Sequence, residues 1–368
     1  MRGSARLLTP LAAAAFALFA ALPASAVPNW LPPNVNASYG NKVDDLYFAI
    51  YFIVAAFFFL TEGLIVYCCI AFRGRPGRKA KYMHGSNVAE TIWTVIPALI
   101  LIGIGVAQAG TWKEIRMTFP SEKDPNTLVI QTFPKQYEWA FRYPGADGAF
   151  GTADDVYQNG IHVPLGRKVL VKLSSSDVIH SFFVPHARVK LDAMPGMMGR
   201  TWFTMDKVSV WNLKDQKMEV LTLEEMKSKK VAWALTNGPN RQAWGYKLVE
   251  ASLDAPDAQL KKGMKKYSYE LLTGKTNVQV WFQGKVQEVP AAEVDAVFHR
   301  YEIACAELCG MQHFNMRSNV FVDPPEVFDT WYKGVCDQAV KTGSPEVTTA
   351  RWHTYWDQAH PTWNKAIE

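Results

Sequence analysis

No Cys-x-x-Cys-His occurs in the 368 residues, which excludes a covalently attached haem c. From Val208 to Phe298 there is neither cysteine nor histidine, so that stretch offers no metal site of the usual soft ligands. The Gly- and Asp-dense run from Gly145 to Asp155 lacks the full spacing and the terminal glutamate of an EF-hand, and reads as an exposed turn rather than a calcium loop. Between Arg73 and Lys81 no acidic residue interrupts Arg73, Arg75, Arg78, Lys79 and Lys81. That stretch alone carries as much charge as the net +5 of the whole chain, so the balance gives no sign of a nucleic-acid partner.

What is present is apolar, and unevenly spread. Residues 1–26 read as a secretory signal peptide: Arg2 and Arg6 lead, Leu11 to Leu22 form the apolar stretch, and Ala24-Ser25-Ala26 supply the small residues of a cleavage site. Two later segments, 46–72 and 88–109, are long enough to cross a bilayer. The basic loop between them stays in the cytoplasm. The stub after Ala26, with Asp44 and Asp45, therefore lies outside, as does everything after the second span. This divides the chain into a hairpin region, 27–110, and an external domain, 111–368, exported to an oxidising compartment.

Inside the first span stands Glu62, where a charged carboxylate facing lipid is costly. It is either protonated or turned toward a protein partner; Tyr67, Cys68 and Cys69 nearby read as packing residues. Glu90 comes at the cytoplasmic end of the second span, and Pro97 is a candidate kink. Beyond Trp112, Leu128–Phe133, Tyr137–Tyr143, Lys168–Leu173, Arg200–Met205 and Asn319–Val322 are short, rich in Val, Phe, Tyr and Trp, and bounded by turn residues. They predict a small antiparallel sandwich or barrel. The charged stretch from about 208 to 298 breaks the pattern and reads as an insertion, with a helix capped by Thr222 and Glu225. A helical or loose tail, about 325–368, carries Trp331, Trp352, Trp356 and Trp363.

The decisive segment is Cys305-Ala-Glu-Leu-Cys309-Gly-Met-Gln-His313-Phe-Asn-Met316. It brings two thiols, an imidazole, a thioether and a carboxylate into one loop. Soft sulfur with imidazole suits copper, and a closing thioether suits copper better than zinc. A loop between strands can wrap a metal pair if both cysteines bridge, but the second imidazole must then come from elsewhere. His180, just after the Lys168–Leu173 strand, is the better donor, and His186 the poorer. Three other readings stand beside copper: a Cys305–Cys309 disulfide, a structural zinc held with His180 and His313, and pairing of Cys336 with one of the two.

On these motifs, the two spans and the strand pattern, the chain resembles subunit II of bacterial cytochrome c oxidase. The resemblance implies a two-helix transmembrane hairpin followed by an external cupredoxin domain holding a dinuclear copper (CuA) centre. Cys305 and Cys309 would bridge both ions, His180 and His313 would bind one each, and Met316 would be a weak ligand. The Glu307 carbonyl would be the other weak ligand, and its side chain would reach a magnesium ion at the interface with subunit I. The implied function is to accept electrons from cytochrome c and pass them to haem in subunit I, where dioxygen is reduced to water; subunit III is a further expected partner. Glu90 matches the mouth of the family's proton path, although a helix-end carboxylate in a solvated interface reads equally well. Asp177 and Asp192 match positions near the docking face and the subunit interface, or are merely solvated acids.

Two departures from the family stand out. The aromatic motif where electrons enter begins Gln136-Tyr137-Glu138-Trp139, so Tyr137 stands where a tryptophan is usual and Trp139 is kept. The second is the 208–298 insertion. Other readings are a quinol-type oxidase, in which this subunit is structural, and a CuA-bearing nitrous-oxide or nitric-oxide reductase.

Overall fold

A computed structural model describes residues 31–342, apart from 78, 80, 81, 83, 233, 236–245, 252–265 and 272–273. The expected signal peptide and Trp352, Trp356 and Trp363 lie outside the described residues. Helix α1 runs Gly40–Ala71 and α2 runs Asn87–Arg116. Both are longer than the apolar segments, and both carry a window apolar and long enough to cross a membrane. Ser86 starts α2 by accepting from the Ala89 N–H with its hydroxyl, 3.3 Å away, which satisfies one of the free donors of the first turn. Pro97 sits inside α2. At the far end the polar extensions pair, Lys42 with Glu114.

The strands of the external domain are β1 (Thr127–Thr132), β2 (Phe141–Tyr143), β3 (Val156–Gln158), β4 (Ile161–Pro164), β5 (Lys168–Leu173), β6 (His180–Val184), β7 (Val189–Ala193) and β8 (Gly199–Thr204). After a long excursion the chain returns in β18 (Tyr301–Cys305) and β19 (Arg317–Asp323). One sheet has the order β3-β2-β1-β5-β8 and the other β4-β19-β18-β6-β7, a sandwich mostly antiparallel but with β1 parallel to β5 and β4 parallel to β19. This is the cupredoxin-like architecture. Trp139 and Phe141 from one side meet Phe182 from the other, at ring distances of 5.8 and 6.3 Å.

The expected strand 137–143 is shorter than its composition suggests. Only Phe141–Tyr143 pairs, because Lys135 and Glu138 close a tight turn through both backbone bonds. The Gly145–Asp155 run is a turn, tied down by the buried pair Arg142 and Asp155, with Gly151 N–H also donating to Asp155. Removing one partner of such a pair strands the other charge, which explains why the turn is built around it.

The stub before α1 was expected with the hairpin, but Pro33–Gly40 belongs to the external domain. Val35 and Tyr39 are buried there. Val35 N–H donates to the His186 carbonyl at 3.0 Å, and Asp206 N–H to the Val35 carbonyl at 3.1 Å. The Tyr39 hydroxyl donates to the Trp202 carbonyl, and Ser38 bonds Thr204. Gly40 turns the strap into α1 at a point where a Cβ would lie 2.2 Å from Asn34 Oδ1, so only glycine fits without moving Asn34.

The charged stretch from 208 onward, which broke the strand pattern in the sequence, is itself β-rich. Strands β9 (Lys207–Asn212), β10 (Lys217–Thr222), β11 (Val231–Ala232), β15 (Asn277–Phe282), β16 (Lys285–Pro290) and β17 (Ala296–Phe298) make a second layer. A smaller sheet holds β12 (Ala234–Leu235), β13 (Tyr246–Ala251) and β14 (Lys266–Leu271). The layer has its own core of Ala232, Val278, Val280, Val289, Val294 and Val297. In β15 buried Val278 and Val280 alternate with exposed Asn277 and Gln279, so the polar face masks the period of two. The short helix α3 (Leu223–Lys227) carries the expected capping box from Thr222 and Glu225. Helix α4 (Pro325–Thr342) buries Phe328, Val335, Cys336 and Ala339, one stripe of an amphipathic helix.

Candidate metal centre

The site forms where β18 ends. Cys305 is the last residue of β18, opposite Phe182 of β6, which puts His180 at the adjacent strand end. The loop then turns back so that Cys305 N–H donates to the Met316 carbonyl, and Ala306 N–H to the Ser181 carbonyl, both at 3.1 Å. Three strand ends and one loop are thereby locked around a single space.

Both cysteines are free thiols. Their sulfurs lie 3.8 Å apart, far beyond the ~2.05 Å of a disulfide. Each has its own imidazole: His180 Nδ1 is 3.9 Å from Cys305 Sγ, and His313 Nδ1 is 3.6 Å from Cys309 Sγ. Met316 Sδ stands 3.7 Å from Cys309 Sγ, and the Glu307 carbonyl 3.2 Å from Cys305 Sγ. His180 and Met316 are fully buried. The donor atoms of His180, Cys305 and Cys309 lie within 4.8 Å of one another, while His313 stands outside that group. A single tetrahedral zinc would hold all four donors within about 4 Å of one another. Two sulfurs in the middle with an imidazole on either flank fit a metal pair instead. Cys336, on the buried face of α4, is also a free thiol.

Electrostatics prepare the sulfurs. Burial raises the Cys305 thiol, but His180 and the Ser181 and Glu307 backbone outweigh it and bring it down to about 6. Cys309 is pushed up to about 11 by burial and by the charge on Cys305. Burial also opposes a charged His180, yet Cys305 and Asp177 beside it raise its pKa. Asp177 Oδ1 lies 2.8 Å from His180 Nε2 and so turns Nδ1 toward the sulfurs. Its other oxygen accepts from Gln136 N–H at 2.7 Å. This orienting role was not legible in the sequence, where Asp177 looked like a docking or solvated acid. Asp177→Ala is expected to weaken copper binding by roughly 10–100-fold, measured by chelator competition. Unchanged affinity would mean that packing alone holds the ring.

The aromatic motif frames the same loop. Trp139 is buried, stacks on Phe141, and directs its indole N–H at the Met316 carbonyl, 3.4 Å away. Tyr137 lies over the loop, its hydroxyl accepting from Met311 N–H at 3.2 Å. Gly310 has φ +129°, and a Cβ there would fall 2.5 Å from the Tyr137 hydroxyl. Gln136 donates its side-chain amide to the Cys309 carbonyl at 2.6 Å. Gln136 was part of the aromatic motif in the sequence, but its bond to the Cys309 carbonyl was not legible there, and Gly310 did not stand out, because both roles are contacts between distant loops. The Glu307 side chain is exposed. Asp192 accepts from the Ser181 hydroxyl at 2.6 Å. His186 packs on Tyr301, away from the sulfurs. Glu90 lies in the first turn of α2, in the other unit of the chain.

The family described as cytochrome c oxidase subunit II, transmembrane domain, matches residues 33–108, and its periplasmic domain matches 128–220. The second match ends in β10, before the metal loop. The cytochrome c oxidase subunit 2 of Alkalihalophilus pseudofirmus is 32% identical over 170 residues, 45% of this chain and 44% of that protein. The quinol oxidase subunit 2 of Bacillus subtilis is 30% identical over 164 residues, 44% of this chain and 48% of that one. The chain thus spans about half the length of these relatives. The periplasmic domain of subunit II of cytochrome oxidase from Bradyrhizobium japonicum aligns with a TM-score of 0.31 at 17% identity, covering 60% of this chain and 99% of that structure.

Proposed function

We propose that this chain is a subunit II of the cytochrome c oxidase family, and that it accepts electrons from a cytochrome c at a dinuclear copper centre and passes them to haem in subunit I, for reduction of dioxygen. The observation that carries this reading is the pair of free thiols 3.8 Å apart with a histidine on each flank. Copper, when bound by His180, Cys305, Cys309, His313, Met316 and the Glu307 carbonyl, supplies one-electron chemistry. The protein's part is to hold the donors still. Burial keeps water from His180 and Met316, the β6–β18 ladder fixes the strand ends, and Asp177 fixes the imidazole, so little rearrangement accompanies a change of charge.

The anchoring supports the same reading, with two apolar helices and an external C-terminal domain. Magnesium would keep several waters and take one or two carboxylates, so Glu307 could be only part of such a site, with the remaining ligands from subunit I. Subunit III is proposed as a further partner. The deciding experiment is metal analysis of the intact protein in detergent after copper loading. Two copper ions per chain and a purple mixed-valence spectrum are expected. One zinc and no colour would refute the centre.

A second reading comes from the likeness to quinol oxidase subunit 2, in which this chain would be structural. The complete donor set weighs against it, and a protein that binds no copper yet supports quinol oxidation would establish it. Glu90 is proposed as the mouth of a proton path. Glu90→Ala should slow turnover of the assembled oxidase and leave reduction of the copper centre by cytochrome c untouched; full turnover would make it an ordinary helix-end carboxylate.

A further inference from the structure

Met194, Met197 and Met198 have no part in the chemistry described above. They belong to the turn Met194-Pro-Gly-Met197-Met198, which follows β7. Methionine is among the side chains most often buried, yet Met194 is 38% and Met197 62% exposed. The turn is tight. Met197 N–H donates to the Met194 carbonyl at 3.3 Å, and Gly196, in third place, has φ +75°, which favours glycine there. The two exposed methionines are thus the first and fourth residues of one turn, with Cα atoms less than about 7 Å apart. Met198 instead packs against Phe133, Ala140 and Tyr157, which anchors the turn and leaves two thioethers outside.

The turn stands beside the metal centre. Ala193 pairs with His180 across β7 and β6, which puts the Met194 Cα within about 10 Å of the His180 Cα. The Ser174 hydroxyl and Ser175 N–H donate to the Met194 carbonyl at 3.0 and 3.3 Å. The same segment carries Asp177, whose carboxylate holds the His180 ring. His180 is fully buried, and Cys305 and Cys309 are buried with it. An ion arriving from water on this side therefore meets the two methionines first. Their chemistry narrows which ion that is. A thioether offers no charge and has no proton to lose, so it binds hard or borderline divalent ions poorly and selects the soft cuprous ion. Leucine would serve an apolar contact equally well, and what sets methionine apart is its sulfur.

We propose that Met194 and Met197 form a two-sulfur clamp that takes up a cuprous ion at the surface and hands it to the Cys305–His180 side of the metal centre. The proposal rests on that centre being a copper site, and it adds where copper first binds. The transfer exchanges ligands only: two thioethers are released, a cysteine sulfur and an imidazole are gained, the ion stays cuprous, and any proton on the sulfur passes to water. An ion held so close is presented to the thiols at an effective concentration on the order of millimolar, however little is free in solution.

The test uses the full-length chain in detergent, with cuprous ion as the probe and bicinchoninate as the competing indicator. The Cys305→Ser/Cys309→Ser chain, which lacks the thiols, should still bind a cuprous ion with an affinity that does not change across the histidine range of pH, and zinc should not displace it. Adding Met194→Leu and Met197→Leu should remove that ion. In the chain with both cysteines, the two methionine substitutions should slow filling of the centre about tenfold at limiting cuprous ion and leave the final copper content unchanged. Met218→Leu, in β10 and as exposed as Met194, should fill at the wild-type rate. The leucines keep the apolar surface and the final content reports an intact fold, so a packing role would not move the rate. A thiol-free chain that keeps its ion without the methionines would overturn the proposal. So would an unchanged filling rate, and if association with oxidase partners weakened at the same time the turn would be a contact surface instead. A wild-type chain that takes no copper at its thiols would refute the copper reading itself.

Discussion

Cys309→Ser is expected to abolish the copper pair. Cys309 Sγ contacts Cys305 Sγ, His313 Nδ1 and Met316 Sδ, at 3.8, 3.6 and 3.7 Å, and so links the two ends of the donor set. A hydroxyl is nearly the same size but is a hard ligand that does not bridge two soft ions. The apo fold should therefore survive while both copper ions and the visible spectrum are lost. Met316→Leu makes the contrast. It removes only a weak thioether donor from a fully buried position and substitutes a side chain of similar volume, so both ions should remain with a shifted reduction potential. Metal analysis and redox titration of the two variants separate the roles. Equal copper loss in both would contradict the bridging assignment.

The next largest effect is expected at Tyr137. Its ring lies over the Gly310–Met311 turn of the metal loop, held by the Met311 N–H. Around it Leu308, Met311 and Phe314 are 79%, 92% and 75% exposed, so the surface above the centre is apolar. Tyr137→Ala would remove the aromatic contact and slow reduction of the centre by cytochrome c about tenfold, the scale of an interface anchor. A small chemical reductant, which needs no docking, should reduce both proteins alike. Added salt should slow wild type and variant by the same factor, because it acts on charges that steer the encounter rather than on this contact. If Tyr137→Ala changes nothing while trimming within Lys214 to Val289 does, electrons are accepted at the second β layer instead.

The candidate donor cluster could be read from the sequence because most of its residues share one loop, and donors packed so densely suit little besides a soft metal. His180 followed from a single strand placed beside that loop. The spans were equally plain, since twenty apolar residues in a row have little else to do. What escaped was structure whose logic is long-range. Val35 and Tyr39 show no period in so short a strap, and their burial depends on partners near Trp202 and Thr204. The strands of the 208–298 stretch went unread because polar and charged residues sit on the open faces of strands whose valines alternate inward. Tyr137 and Glu138 opened the expected strand but lie in a turn, closed by Lys135 and Glu138, that faces the metal loop rather than extending a sheet.

The strap also governs how the domain can be made and released. Ser38 and Thr204, bonded in the finished domain, are 166 residues apart, and both membrane helices are synthesised between them. The first piece of the external domain must therefore wait outside the membrane until the last of the β8 region has followed it across. Sandwich closure thus reports that both ends of the hairpin have been translocated correctly. For the same reason the domain is tethered to the membrane by two peptide connections, one after Gly40 and one near Ile115. A protease shedding it intact must cut both, and a single cut after α2 leaves the domain held to the membrane through the strap bonded to it.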